Sequence, residues 1–263
     1  MMIQGGYQGS SFFEFLRMEH PHLLPNFHLD ISAGKELVEQ ALHGTTVLAL
    51  KFRDGAVIAG DRRATEGYQI AGRFIEKVYK ADEHSAIAIA GAAGPCLEMA
   101  RLFQIELEHY EKLEGVELSL EGKANRLSQM VRANLPLAIQ GLIVIPIFVG
   151  YDIYKGEGKI YKYDVTGGRY EEREYYATGS GGTAARNSMK KLYRRGLTRD
   201  EALRVALEAL YDASEEDAGT APPDPIKDIY PSTKVVTREG FCEVADQEVR
   251  EICLKIMNER RGA

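Results

Sequence analysis

The sequence predicts an α+β fold in which two β-sheets pack face to face with helices outside both, and three observations carry that reading. From Thr45 onward, blocks of strand-like pattern alternate with paired helices. Regular alternation of one strand with one helix, the mark of a doubly wound parallel sheet, is absent. The length of 263 residues suits one large domain or two small ones, and 44% hydrophobic with 27% charged residues is a globular composition that allows a sizeable core.

Residues 1–44 lack a sustained period. They run through the Gly- and Ser-bearing "MMIQGGYQGSS", then "FFEFLRMEH", a prolyl stretch, and a possible short helix "KELVEQAL". Phe12, Phe13, Phe15 and Leu16 read as anchors of an adaptable arm. His20 and His22 have no evident third metal ligand and read as solvated. At Thr45 the pattern changes. Thr46, Leu48, Leu50 and Phe52 share one face of a strand, and Thr45, Val47, Ala49 and Lys51 the other. Asp54-Gly55 signals a tight hairpin into the buried strand "AVIAG". Further strands are expected at Lys77–Lys80 and Ser85–Gly91.

A helix opening at Pro95 and closing near Gly115 follows, then one over roughly Ser119–Ala138 with Leu120, Leu127, Met130 and Val131 on one side. Strands return at "LIVIPIFVG", "KIYKYD" and "EYYATG". A second helix pair covers about Gly182–Arg194 and Arg199–Ala213, the latter opened by the capping box Thr198-x-x-Glu201. A hairpin at Glu239-Gly240 and a helix striped by Val249, Ile252, Cys253 and Ile256 close the chain.

The formal net charge of -6 argues against a general phosphate-binding surface, and therefore against nucleic acid. The basic run "MKKLYRRG" fits a helix C-terminus. Cys96, Cys242 and Cys253 are too few and scattered for a disulfide framework or a metal spacing, which favours a reducing compartment. The longest apolar run, Leu142–Gly150, is far short of a bilayer span, so the expected protein is soluble and cytoplasmic.

A threonine on a strand is ordinarily a β-branched residue suited to the pleat. Its neighbours raise a second reading. Asp61 follows the second strand, where the return leg of the hairpin comes back beside Thr45, and Lys77 opens another strand. The expected hairpin would return the carboxylate to the hydroxyl at one end of a sheet, where the ammonium of the later strand could join them, a convergence that periodicity alone does not show. The matching chemistry is nucleophilic catalysis by an N-terminal threonine, whose Oγ attacks a carbonyl while its own α-amino group takes the proton. That amine does not exist while Gly44 is attached, so an arm covering 1–44 would act as a lock, and Gly44 tolerates strained backbone at the cut. Taken without Thr45, Asp61 and Lys77 read as a structural salt bridge.

From Gly44 to about Arg261 the chain resembles a β subunit of the proteasome of the actinobacterial type, through "HGTT", "AGDRR", "KVY", "ARLFQIELEHYEKLEGVELS", "GKANRLSQMVRANL" and "MKKLY". The resemblance implies the N-terminal-nucleophile hydrolase fold, a four-layer αββα sandwich over 45–263, with 1–44 as a propeptide removed by autocatalytic cleavage at Gly44-Thr45. It implies a threonine endopeptidase, without cofactor, metal or bound ATP, working on unfolded proteins and peptides inside stacked heptameric rings of β subunits capped by α subunits. A separate ATPase ring would unfold substrates. By position, Thr45 resembles the nucleophile, Asp61 and Lys77 the pair that tunes it, Gly91 the oxyanion donor, and Arg63 a support beside Asp61. Ser180 resembles the serine near the terminal amine, and Asp217 with Thr220 its partners, although "DAGTAPPD" has Ala221 and Pro222 where the family usually has glycines. Ile89 corresponds to the residue shaping the substrate pocket, with Ala64 and Ala93 as neighbouring walls.

Other readings weigh less. "GSGGTA", Gly179–Ala184, fits a dinucleotide fingerprint with Asp200 at a suitable distance, but the second strand that should carry the acid is missing and Asp200 falls in a capped first turn. A serine-hydrolase elbow would need glycine where Thr178 stands. A noncatalytic ring subunit would be expected to lack the nucleophile or its lysine. The peptidase of the simpler two-component bacterial protease usually has "GDGQ" where this chain has "GDRR".

Overall fold

The structure, a computed structural model, describes residues 44–66 and 69–261. The anchors Phe12, Phe13, Phe15 and Leu16, the pair His20 and His22, and the helix expected at Lys35–Leu42 lie outside the described residues. Two five-stranded antiparallel sheets form the centre. The first has the order β10-β1-β2-β11-β12, with β1 Thr46–Phe52, β2 Gly55–Gly60, β10 Tyr175–Gly179, β11 Ser232–Thr237 and β12 Gly240–Glu243. The second runs β5-β6-β7-β8-β9, with β5 Val78–Asp82, β6 Ser85–Gly91, β7 Val144–Asp152, β8 Glu157–Tyr163 and β9 Arg169–Glu172. A small hairpin, β3 Ala64–Glu66 with β4 Gln69–Gly72, stands apart.

The outer helices are α1 Ala93–Glu114 and α2 Leu120–Ala133 over the second sheet, and α4 Gly182–Leu192, α5 Arg199–Glu216 and α6 Asp246–Arg261 over the first. Three buried clusters separate the four layers. Between the sheets lie Val47, Ala49, Ile58, Ala88, Ile147 and Val149. Because side chains alternate along a strand, Leu48, Leu50 and Phe52 point the other way, into a cluster with Leu203, Leu207 and Leu210 of α5. On the far side, Ile87, Ile89 and Phe148 join Phe103 and Leu127 of α1 and α2. The chain therefore has the expected αββα order, with both faces of both sheets covered.

Local chemistry sets the helix ends. The Gly115 N–H closes α1 on the Glu111 carbonyl at 2.8 Å with φ 70°, and Thr198 and Glu201 form the expected capping box of α5. One expectation is corrected: the single helix over Ser119–Ala138 is two, because Pro136 has no N–H to offer the Arg132 carbonyl. The chain stops at Ala133 and restarts as α3, Leu135–Ile139. Lys77 stands just before β5 rather than within it. Strands β3, β4 and β9 were not anticipated, being three or four residues long with little apolar alternation.

Candidate active site

Strand register brings the first residues of the site together. In β1, Thr46 pairs with Gly179 of β10 on one side, while Val47 pairs with Gly60 of β2 on the other. The residues that follow those partners, Ser180 and Asp61, must therefore flank the start of β1. The Ser180 N–H donates to the Thr45 carbonyl at 2.9 Å, and the Asp61 N–H donates to the Thr46 carbonyl at 3.1 Å. From the second sheet, Lys77 precedes β5 and Gly91 ends β6, and both line one cavity with Thr45.

Asp61 has no exposed surface and accepts four hydrogen bonds. Its Oδ1 takes the Thr46 N–H at 2.9 Å and Lys77 Nζ at 2.6 Å, and its Oδ2 takes the N–H groups of Arg63 at 2.8 Å and Ala221 at 3.1 Å. Lys77 is also buried and spends a second donor on the Arg63 carbonyl at 2.6 Å. Burial pulls the Lys77 ammonium below its ordinary pKa, the attraction of Asp61 opposes that, and Arg63 adds to the lowering. The Arg63 guanidinium reaches the carbonyls of Ala218 at 2.8 Å and Thr220 at 3.3 Å, tying the Asp61 turn to the loop after α5.

A second set approaches Thr45 from the opposite side. The Thr45 N–H donates to Ser180 Oγ at 3.2 Å, and Ser180 Oγ donates to Asp217 Oδ2 at 2.5 Å. Thr220 Oγ1 donates to the same Oδ2 at 2.6 Å, and the Gly219 N–H reaches Oδ1 at 3.2 Å. Asp217 and Thr220 thus meet Ser180 although Ala221 and Pro222 follow them. The N–H of Ala221 is spent on Asp61, and Gly219 supplies the close approach: a Cβ on Gly44 would lie 2.2 Å from the Cα of Gly219. The Gly44 N–H donates to Thr65 Oγ1 at 2.6 Å.

The cavity beside Thr45 has a volume of about 500 Å³. Ala64, Ile89 and Ala93, the residues the resemblance assigns to a substrate pocket, line it together with Tyr79, Cys96 and Leu97, which the sequence reading did not single out. Gly91 lies on its wall with φ 134°, a conformation that favours glycine. Sequence reasoning also passed over Thr65, Gly219 and the fully buried Thr46. The tandem Thr45-Thr46 was the available signal for the last, because a second hydroxyl heads an otherwise apolar stripe. The "GSGGTA" stretch does join a strand to a helix, but β10 runs antiparallel to β1 and two helices follow it, and Asp200 lies in the first turn of α5.

Comparison with known proteins gives the family of the chain. The family model described as proteasome subunit matches residues 41–223, most of the chain and every residue of the site described above. The chain belongs to the proteasome subunit family. Curated relatives of this proteasome-family chain carry the name proteasome subunit beta. That of Streptomyces griseus is 53% identical, over 95% of this chain and 89% of its own. That of Acidothermus cellulolyticus is 51% identical, over 95% and 87%, and that of Frankia casuarinae 47% identical, over 95% and 90%. Membership supports a protease role within the proteasome core and agrees with the layered α+β architecture. Among the described residues no helix is long and apolar enough to cross a membrane.

Proposed function

We propose that this chain is the catalytic β subunit of a proteasome core particle, a threonine endopeptidase whose nucleophile is the Thr45 hydroxyl. The observation that carries the reading is the convergence of three segments on Thr45: its N–H lies 3.2 Å from Ser180 Oγ, and its cavity is shared with Lys77 and Gly91. While Gly44 is attached, the Thr45 nitrogen is an amide and has no basicity. Activation begins when Thr45 Oγ attacks the Gly44 carbonyl carbon. The C–N bond breaks, the nitrogen takes a proton, and water hydrolyses the resulting ester to release residues 1–44 as a carboxylate. The free α-amine then serves as the base.

In peptide hydrolysis the amine takes the hydroxyl proton as Oγ bonds to the substrate carbonyl, and the proton passes to the leaving amine. The Gly91 N–H offers a donor to the developing oxyanion. Water, deprotonated by the same amine, cleaves the acyl-enzyme. Asp61 and Lys77 set the local field, and Arg63 holds their turn. The chain works in heptameric β rings stacked with α rings in the cytoplasm, hydrolysing unfolded proteins without ATP, while a separate ATPase ring unfolds them.

The test is the intact mass and N-terminal sequence of the chain after assembly with its α partner. Wild type should begin at Thr45, whereas Thr45→Ala should keep its full-length mass, with the peptide bond after Gly44 intact, and hydrolyse no peptide. Efficient trimming of Thr45→Ala at that bond would overturn self-cleavage.

A further inference from the structure

The Thr46 hydroxyl has no place in the chemistry above, yet it is fully buried at the meeting point of both halves of the site. Its Oγ1 lies 2.6 Å from Thr220 Oγ1 and accepts the Gly181 N–H at 2.9 Å. Proton counting fixes the direction of the first bond. Thr220 has one hydroxyl proton and spends it on the Asp217 carboxylate, so Thr46 must be the donor to Thr220. Ser180 also has one proton, which goes to Asp217 at 2.5 Å in preference to the Thr45 carbonyl at 3.4 Å, and its oxygen accepts from the Thr45 nitrogen. The result is a directed chain from Thr46 through Thr220 to Asp217, meeting Ser180 there.

Gly181 gives an independent indication that the geometry is built for this. A Cβ at Gly181 would lie 2.6 Å from Thr46 Oγ1 and 2.7 Å from Thr220 Oγ1, so only glycine lets its backbone lie against both hydroxyls. The glycine pair that mimics a dinucleotide fingerprint instead seats the Ser180 turn on Thr46.

We infer that Thr46 is a positioning residue for the Thr45 amine: its hydroxyl locks the turn carrying Ser180 to the loop carrying Asp217 and Thr220, and so fixes the acceptor that orients the amine. The inference rests on the proposed threonine chemistry for its kinetic consequences, while its structural core does not. Without the lock, Ser180 is a weaker acceptor for the ammonium form. The amine should then lose its proton at lower pH but be poorly aimed as a base.

The experiment uses assembled particles whose β chains are made with Thr45 already exposed, comparing wild type with Thr46→Val, Thr46→Ser and Gly181→Ala. Thr46→Val keeps the shape and removes the hydroxyl. It should lower kcat about tenfold with KM within about twofold, the pattern of lost orientation rather than lost binding. The acid limb of its kcat/KM profile should move to lower pH. Thr46→Ser should restore most of the rate, and Gly181→Ala should fall as Thr46→Val does. In parallel, labelling of the Thr45 amine by trinitrobenzenesulfonate is followed against pH by mass spectrometry of the N-terminal peptide. This reads the amine without needing turnover. The labelling midpoint should move down in Thr46→Val and return in Thr46→Ser. If wild type hydrolyses no peptide, the proposed function fails, and the labelling result still decides the role of Thr46. An unchanged labelling midpoint in well-assembled Thr46→Val overturns the inference, as does an equal loss in Thr46→Ser and Thr46→Val.

Discussion

Lys77 Nζ lies 2.6 Å from Asp61 Oδ1, and neither side chain is more than 5% exposed. A buried pair of this kind is weak evidence for stability, because the desolvation of both ions offsets most of their attraction. Lys77 also lines the Thr45 cavity, where the proposed catalysis would use its charge. An unperturbed α-amine has a pKa of roughly 7.7 to 8.0, so at neutral pH only about a tenth to a sixth is free base. A nearby ammonium disfavours a second positive charge and raises that fraction.

Lys77→Ala, in particles made with Thr45 already exposed, should therefore lose most peptidase activity, with the remainder recovering toward alkaline pH. Removing the ammonium leaves the Asp61 carboxylate alone, which pushes the amine's pKa up. Lys77→Arg separates charge from shape: it keeps the cation but replaces a compact head with a planar fork, so partial activity marks a charge role and near-complete loss a geometric one. Wild-type rates with an unchanged pH profile in assembled Lys77→Ala would reduce Lys77 to a structural partner of Asp61.

Peptide libraries should be cut fastest after large hydrophobic residues. The cavity beside Thr45 carries Ala64, Ile89, Ala93, Cys96 and Leu97 alongside the charged Glu76, Lys77 and Arg101, and burying a large apolar side chain against its apolar walls is worth roughly 1.5 to 3 kcal/mol while burying an unpaired charge is unfavourable. Ile89→Phe should shrink the cavity and shift cleavage toward smaller residues. A wild-type profile dominated by cuts after Arg or Glu would contradict the pocket.

Iodoacetamide on the folded subunit should alkylate Cys242 and spare Cys96 and Cys253. Cys242 is exposed, whereas burial pushes the other two thiols up to about 12. The sign for stability follows: an unfolded thiol ionises near 9.0 while these stay protonated, so the folded chain holds more protons in that window. Stability should fall as pH rises from 9 toward 12, and Cys253→Ala should flatten that part of the dependence. Mass mapping that finds Cys253 modified as fast as Cys242 would refute the burial.

Urea unfolding should rank two substitutions. Phe103 is fully buried and meets Phe148 edge-on at a ring separation of 5.6 Å, so Phe103→Ala should cost about 3 to 5 kcal/mol. Thr198→Ala removes one half of the α5 capping box and should cost about 1 kcal/mol. Equal losses would mean that the helical layer over the second sheet is not a packed core.

The layers and half of the site were legible in the sequence because both rest on local periodicity. Alternation along β1 separated Leu48, Leu50 and Phe52 from Val47 and Ala49, which now lie in different cores. The Asp54-Gly55 turn fixed a register that returns Asp61 beside Thr46, so their meeting needed only a hairpin. Resemblance to a family, not pattern, pointed to Ser180, Asp217 and Thr220. Their convergence is a tertiary fact: Ser180 is 135 residues from Thr45, and Thr220 is 174 from Thr46. Strands β3, β4 and β9 escaped because they are too short to establish a period, and the helix break escaped because apolar spacing continued past Pro136. A pattern records which face of an element is apolar. Which loops meet at the end of two packed sheets depends on how those faces stack, and only the folded chain decides that.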